Sequence, residues 1–330
     1  MGGLSARTDR RGVVPRTREV IAERVDRVAD GVVSLVLVTP DGSPFQPWEP
    51  GAHIDVHLGG QYVRQYSLCS SPKDLSHLRV AVLDVPGSRG GSRWIHRNVR
   101  PGDTLEISEP RNNFPVRDSR KYLFLAGGIG ITPIIPMIER AAEAGRDWRL
   151  VYGGRSRAGM AFAERLVDEY GDRVDIVAED ERGRMDLAGV LAMPRAHMLV
   201  YACGPGGMLS AVEELCMGWP PGSLHTERFA ATALGPGSVA EPFEVELARS
   251  GKTVSVPTDR TILEAVEDVG VRVLSSCRQG LCGTCETPVV SGEPEHRDAV
   301  LTQDDQDTGA TMMICVSRAA AGCGRLVLDL

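Results

Sequence analysis

The sequence has no run approaching the ~18–20 apolar residues that a membrane-crossing helix needs. Its start, MGGLSARTDRRGVVPRTR, lacks the apolar stretch of a secretion signal. A cytoplasmic protein with a basic arm over residues 1–15 is expected, and a monomer. No internal repeat is visible, so a solenoid is excluded. There is no excess of basic residues and no DNA-binding motif, which counts against nucleic acid. The apolar fraction is 42% and the charged fraction 25%, which excludes a disordered or fibrous chain.

What is present is 330 residues, room for two or three domains at roughly 100–200 residues each. Charge is uneven. The chain carries 37 Lys and Arg against 44 Asp and Glu, net −7; from Glu241 onward there are 15 acidic and 8 basic residues, again −7. All the excess negative charge therefore lies on the last quarter, where it serves solubility or steers the protein toward a basic partner surface.

Residues 16–116 alternate short β-like runs (EVIAERV, VVSLVLVT, AHIDVHL, QYVRQYSL, LRVAVLDV, DTLEISEP) with Pro-Gly and Gly-Gly turns, the rhythm of an antiparallel β-barrel. Over 117–229 the pattern becomes strand–helix–strand, with KYLFLA, WRLVYG, RVDIVAE and HMLVYA as buried strands of a doubly wound α/β domain. Residues 230–242, AATALGPGSVAEP, read as a linker. Residues 243–330 start with a β-hairpin, FEVELARSGKTVSVP, and a short helix, TILEAVEDVG, and form an α+β domain.

Eight cysteines without a secretion signal point to metal or redox chemistry rather than disulfides. Cys69 and Cys216 read as small core residues, and Cys323 as a bystander in a Gly-rich turn. Cys277, Cys282, Cys285 and Cys315 give C-x4-C-x2-C and a fourth cysteine after 29 intervening residues, the plant-type 2Fe-2S spacing. Two separated CxxC knuckles, the usual sign of structural zinc, are lacking. Gly280 and Gly283 give the loop freedom to wrap a cluster, and Ser275 and Ser276 add hydroxyl donors.

Four further stretches suggest nucleotide chemistry. RQYSLCS (64–70) ends a barrel strand. SRGGS (88–92) opens a helix with Arg89, Gly90, Gly91 and an N-capping Ser92, a cradle for phosphate. Together they suggest a flavin. LAGGIGITPII (125–135) is not the Rossmann G-x-G-x-x-G, yet Gly127, Gly128 and Gly130 clear space at a strand-to-helix turn, and Thr132 can donate there. YACGPGGM (201–208) forms a second such turn at the same sheet edge.

These blocks resemble the ferredoxin-NADP reductase superfamily. Their order, with a β-grasp-like plant-type 2Fe-2S ferredoxin domain at the C-terminus, resembles the phthalate dioxygenase reductase and vanillate demethylase reductase family. The resemblance implies that Tyr66 lies against the isoalloxazine and Ser67 bonds near flavin N5. It also implies that Arg64, Leu68, Arg89, Gly90, Gly91 and Ser92 hold the flavin, which would be FMN rather than FAD. Gly128, Thr132, Cys203, Gly204 and Pro205 would shape the nicotinamide site, and Phe229 would cover the flavin until nicotinamide displaces it. Thr226 departs from a position often aromatic in the family. Arg155 and Arg157 bear on NADPH, although NADH is expected. The implied function is electron transfer from NAD(P)H through flavin and cluster to a terminal oxygenase, Rieske-type before haem monooxygenase. A redox-sensing module is the reading from another class.

Overall fold

The computed structural model describes residues 17–59, 62–85, 90–194, 197–229, 241–301 and 303–330. The expected arm (1–15), most of the expected linker and Arg89 lie outside the described residues.

The first unit contains β1 (Thr17–Ala29), β2 (Val32–Val38), β3 (Ala52–Leu58), β4 (Tyr62–Ser67), β5 (Leu78–Leu83), α1 (Gly91–Asn98), β6 (Thr104–Ser108) and β7 (Arg111–Asn112). The strands run in the order β4-β3-β6-β1-β2-β5, with β7 pairing β3. A bridge between Leu68 and Val80 brings the two ends of the sheet together, so the antiparallel sheet closes on itself. Side chains alternate across a strand. On β3, Ala52, Ile54, Val56 and Leu58 enter the barrel core with Leu35, Leu37 and Ile107, and His53, Asp55 and His57 face outward.

The second unit is a five-stranded parallel sheet. It contains β8 (Lys121–Gly127), α2 (Ile131–Glu143), β9 (Asp147–Gly154), α3 (Ala163–Tyr170), β10 (Val174–Ala178), α4 (Glu179–Arg182), α5 (Leu187–Leu191), β11 (Met198–Cys203), α6 (Gly206–Leu215) and β12 (Leu224–Glu227). The order is β10-β9-β8-β11-β12. Four of these strands match the apolar runs of the sequence. The fifth, LHTE, is too short and polar to announce itself, and joins because it pairs in parallel with β11. The chain winds from β8 to one side and returns to the other at β11, so the switch point lies between those strands, where open α/β sheets take ligands.

The third unit contains β13 (Phe243–Leu247), β14 (Lys252–Val256), α7 (Ile262–Asp268), β15 (Glu286–Ser291), β16 (Pro294–Glu295), α8 (Gln303–Thr308), β17 (Thr311–Met313), β18 (Arg318–Ala319) and β19 (Arg325–Leu328). A mixed sheet, β14-β13-β19-β15-β17, packs on α7. A capping box starts α7: Glu264 N donates to Thr261 Oγ1 (3.2 Å) and Thr261 N to Glu264 Oε2 (2.9 Å). Arg318 is buried and donates to the carbonyls of Arg260 (2.6 Å) and Pro257 (2.9 Å), tying the end of the domain to its first hairpin.

The units meet in different ways. Val32, Cys69, Ala81 and Phe114 of the barrel share one buried apolar core with Phe124, Ile134, Tyr152 and Tyr201 of the α/β unit. Among the described residues, no buried apolar cluster joins the barrel to the third unit. No described helix is long and apolar enough to cross a membrane.

Candidate functional site

Three parallel strands, β8, β11 and β12, deliver their carboxyl ends to one edge, and the Gly-rich turns sit there. A Cβ on Gly130 would lie 2.2 Å from Cys203 O, and one on Gly127 would lie 2.6 Å from Pro205 Cδ. Glycine is required here because the two turns pack backbone against backbone. Gly128 adopts φ +53°, starting the turn into α2. Thr132 is buried and donates to Ile129 O at 3.0 Å, so its hydroxyl proton is engaged in the turn itself.

Cys203 is fully buried at the end of β11, and burial pushes its thiol well above the ordinary range. Opposite it in register stands Glu227, which the sequence reading missed. Burial pushes the Glu227 carboxyl up to about 8, although a hydrogen bond with Ser67 pulls the other way. Its Oε2 is buried without a hydrogen-bond partner. Ser67 belongs to the barrel, at the end of β4, and is itself buried. Ser67, Cys203 and Glu227 thus converge from two units on the switch point. No spacing rule marks Glu227; its signal is the strand pairing, which the sequence does not print.

The barrel side carries the expected cradle. Tyr66 is largely buried, and burial raises its phenol, opposed by the Arg64 charge. Arg64 stacks over the Tyr62 ring at 5.2 Å and crosses Gly91, where a Cβ would meet Arg64 Cγ at 2.5 Å. RQYS and the glycine turn are therefore neighbours, as the resemblance requires. The N-cap of α1 is Gly90, at φ +92°, and not Ser92 as expected. The left-handed backbone there suits glycine, and Ser92 Oγ instead accepts from Val85 N at 3.5 Å. Leu68 is a fully buried core residue whose backbone N donates to Ala52 O (2.9 Å). Phe229 is 39% exposed just past β12.

Arg155 is exposed beyond β9. Arg157 is occupied by Glu164 (2.9 Å) and Glu181 (3.5 Å).

In the third unit the four cysteines are buried together, but as two pairs. Cys277 lies beside Cys282, and Cys285 beside Cys315. Among the described residues, no group of three ligand-type side chains is placed to hold a single metal ion. Two sulfur pairs suit two irons, one pair to each. Backbone donors line the sulfurs: Gln279 N (3.3 Å) and Leu281 N (3.4 Å) to Cys277 Sγ, Gly280 N to Cys315 Sγ (3.2 Å), and Thr284 N to Cys282 Sγ (3.4 Å). Gly280 has φ +68°, and a Cβ there would lie 2.6 Å from Val316. Ser276 departs from expectation: its hydroxyl donates away from the sulfurs, to Asp55 Oδ2 of the barrel.

Comparison with known proteins agrees with this layout. The family described as "2Fe-2S iron-sulfur cluster binding domain" matches residues 245–320, and "Oxidoreductase NAD-binding domain" matches 124–214. Vanillate O-demethylase oxidoreductase of Pseudomonas sp. (strain HR199 / DSM 7063) is 41% identical over 320 residues, 94% of this chain and 99% of that one. The solved phthalate dioxygenase reductase superposes with a TM-score of 0.71 at 36% identity, over 95% of this chain and 98% of that one. An intact type IV self-sufficient cytochrome P450 monooxygenase gives 0.86 at 42% identity; this chain spans only 41% of its length. With its barrel, α/β unit and cluster-type loop in the same order, the chain belongs to the phthalate dioxygenase reductase family, the reductase components of oxygenase systems.

Proposed function

We propose that this protein takes hydride from NADH onto FMN in the barrel and passes electrons singly, through a 2Fe-2S cluster held by Cys277, Cys282, Cys285 and Cys315, to a Rieske-type oxygenase. One observation carries the reading: the barrel touches the nucleotide edge at Ser67–Glu227 and the cluster loop at Asp55–Ser276, so the flavin unit lies between the other two. Bound FMN turns a two-electron donor into a one-electron source, and the cluster is the outlet.

The chain's own residues bind, orient and exclude water. Tyr66 and Leu68 line the barrel end, and Arg64, with Gly90, Gly91 and Ser92 at the start of α1, offers charge and helix N–H groups to a single phosphate. The Gly127–Gly130 turn, with Gly204 and Pro205, lets the dinucleotide backbone approach. Cys203 closes the pocket with a neutral thiol. Glu227, protonated near neutral pH, holds a proton beside Ser67, at the edge where nicotinamide and flavin would bind. Phe229 is exposed enough to swing aside. Its position just past β12, at the carboxyl edge of the sheet, supports the covering role.

Arg157 is neutralised by two carboxylates, and α4 opens with Glu179, Asp180 and Glu181. A 2′-phosphate would meet acid here, which favours NADH over NADPH. The acidic balance of the last quarter favours a docking face on the ferredoxin unit. Expression in the cytoplasm and a monomeric state are part of the same reading. A haem monooxygenase partner is the second reading, favoured by the likeness to the P450 fusion protein.

Cytochrome c reduction tests the reductase: turnover with NADH at a kcat/KM well above that with NADPH is expected, and turnover preferring NADPH would contradict the assignment. Coupled assays with a Rieske oxygenase and a haem monooxygenase then discriminate the acceptors.

A further inference from the structure

Asp55 sits on the outward face of β3, between Ile54 and Val56 of the barrel core. In an isolated barrel that face would meet water. Here Asp55 is 2% exposed, because the loop that carries the cysteines covers it. A bare carboxylate so placed would be strongly unfavourable unless charge and hydrogen bonds compensate. The compensation comes from both sides of the interface. Arg111 Nη2 of β7 lies 2.7 Å from Oδ1, and Ser276 Oγ donates to Oδ2 at 2.6 Å. The Asp55 backbone N donates to Ser108 Oγ at 2.9 Å, pinning the strand beneath. Burial would push the carboxyl up, but the nearby Arg111 charge and the bond from Ser276 outweigh it and hold the carboxyl below its usual range.

A second contact lies beyond Asp55: Asn113 Nδ2 donates to Cys282 O at 3.2 Å. One bond precedes Cys277 by a single residue, and the other falls on Cys282 itself. Both ends of the C-x4-C segment are therefore held by the barrel, one by Asp55 on β3 and the other by Asn113 just after β7.

We propose that the Asp55–Arg111 pair is a clamp that seats the cluster loop on the flavin barrel through Ser276, with Asn113 as its second jaw, and so sets the rate of flavin-to-cluster electron transfer. Asp55 is a positioning residue; it touches no reacting atom. The inference rests on the reading that flavin occupies the barrel and the cluster occupies the cysteine loop. Polar interfaces between domains tolerate relative motion, so an interface without a shared apolar core needs such a fixed point. Losing a buried charge-assisted hydrogen bond shifts a docked–undocked equilibrium by about tenfold or more.

The test uses the full-length, cofactor-loaded protein as wild type, Asp55→Ala, Asp55→Asn and Ser276→Ala. Three readouts are followed: anaerobic rapid mixing with NADH, the electron paramagnetic resonance signal of the reduced cluster, and hydrogen exchange over 274–286. Asp55→Ala is expected to keep wild-type flavin bleaching and a full cluster signal. Cluster reduction slows about tenfold or more, and exchange in the loop speeds up. Ser276→Ala shows the same split more weakly; it leaves the barrel intact and decides the matter if the Asp55 variants do not fold. Asp55→Asn, which keeps an acceptor for Ser276, recovers part of the rate. Unchanged cluster reduction and loop exchange in Ser276→Ala and in every Asp55 variant that folds would overturn the clamp. Failure of wild type itself to pass electrons from flavin to cluster would instead overturn the functional reading.

Discussion

Asn113 and Phe114 are neighbours in sequence and serve opposite interfaces. Phe114 turns into the α/β unit, its ring 5.5 Å from that of Tyr201, within a buried core that runs through both units. Asn113 turns to the cysteine loop and makes one hydrogen bond. The contrast holds for the two boundaries as wholes. Barrel and α/β unit are joined by apolar packing, reinforced at the edge by Arg140–Glu49 (2.5 Å) and Lys73–Glu143 (2.7 Å). Barrel and ferredoxin unit are joined by polar contacts around Asp55. The first boundary must hold two rings in fixed register for hydride transfer, which tolerates little misplacement. The second has only to pass electrons.

Four outcomes would break or sharpen that contrast. The largest is Cys285→Ser, expected to abolish cytochrome c reduction while NADH still bleaches the flavin. Loss of flavin reduction in a folded variant would mean that the units do not work in series. Next, Phe114→Ala should cost about 3–5 kcal/mol in chemical denaturation, and the barrel and α/β unit should still unfold as one; a loss under 1 kcal/mol would deny the shared core. Third comes Glu227. Its carboxyl is raised from an ordinary 4.5 to about 8, so the folded state binds the extra proton, and stability falls as pH rises from about 4.5 to 8. Glu227→Gln should flatten that slope in urea midpoints; an unchanged slope would place the carboxyl in water. The smallest is Asn113→Ala, about 0.5–1.5 kcal/mol, detected as faster exchange in the cysteine loop with the α/β unit unaffected.

Much of the design was legible in the sequence where local chemistry forces a residue type. The two Gly-rich turns had to be glycine because Gly130 faces Cys203 O and Gly127 faces Pro205. The C-x4-C-x2-C spacing gave the loop because backbone donors must wrap the sulfurs. What escaped depends on long-range pairing. Glu227 matters because β12 lies beside β11, and LHTE has no strand pattern of its own. Asp55 is 221 residues from Ser276, and an outward Asp on a barrel strand reads as solvated until something covers it. Ser92 was misjudged as a cap because left-handed Gly90 takes that position, and Ser276 as a sulfur donor because the barrel claims its hydroxyl.

The central claim is the order nicotinamide, flavin, cluster. Anaerobic rapid mixing of the wild-type protein with NADH, followed at flavin and cluster wavelengths, tests it most directly. Flavin bleaching should come first and depend on NADH concentration, and cluster bleaching should follow at a rate independent of it. Cluster reduction that precedes or bypasses the flavin would contradict the account.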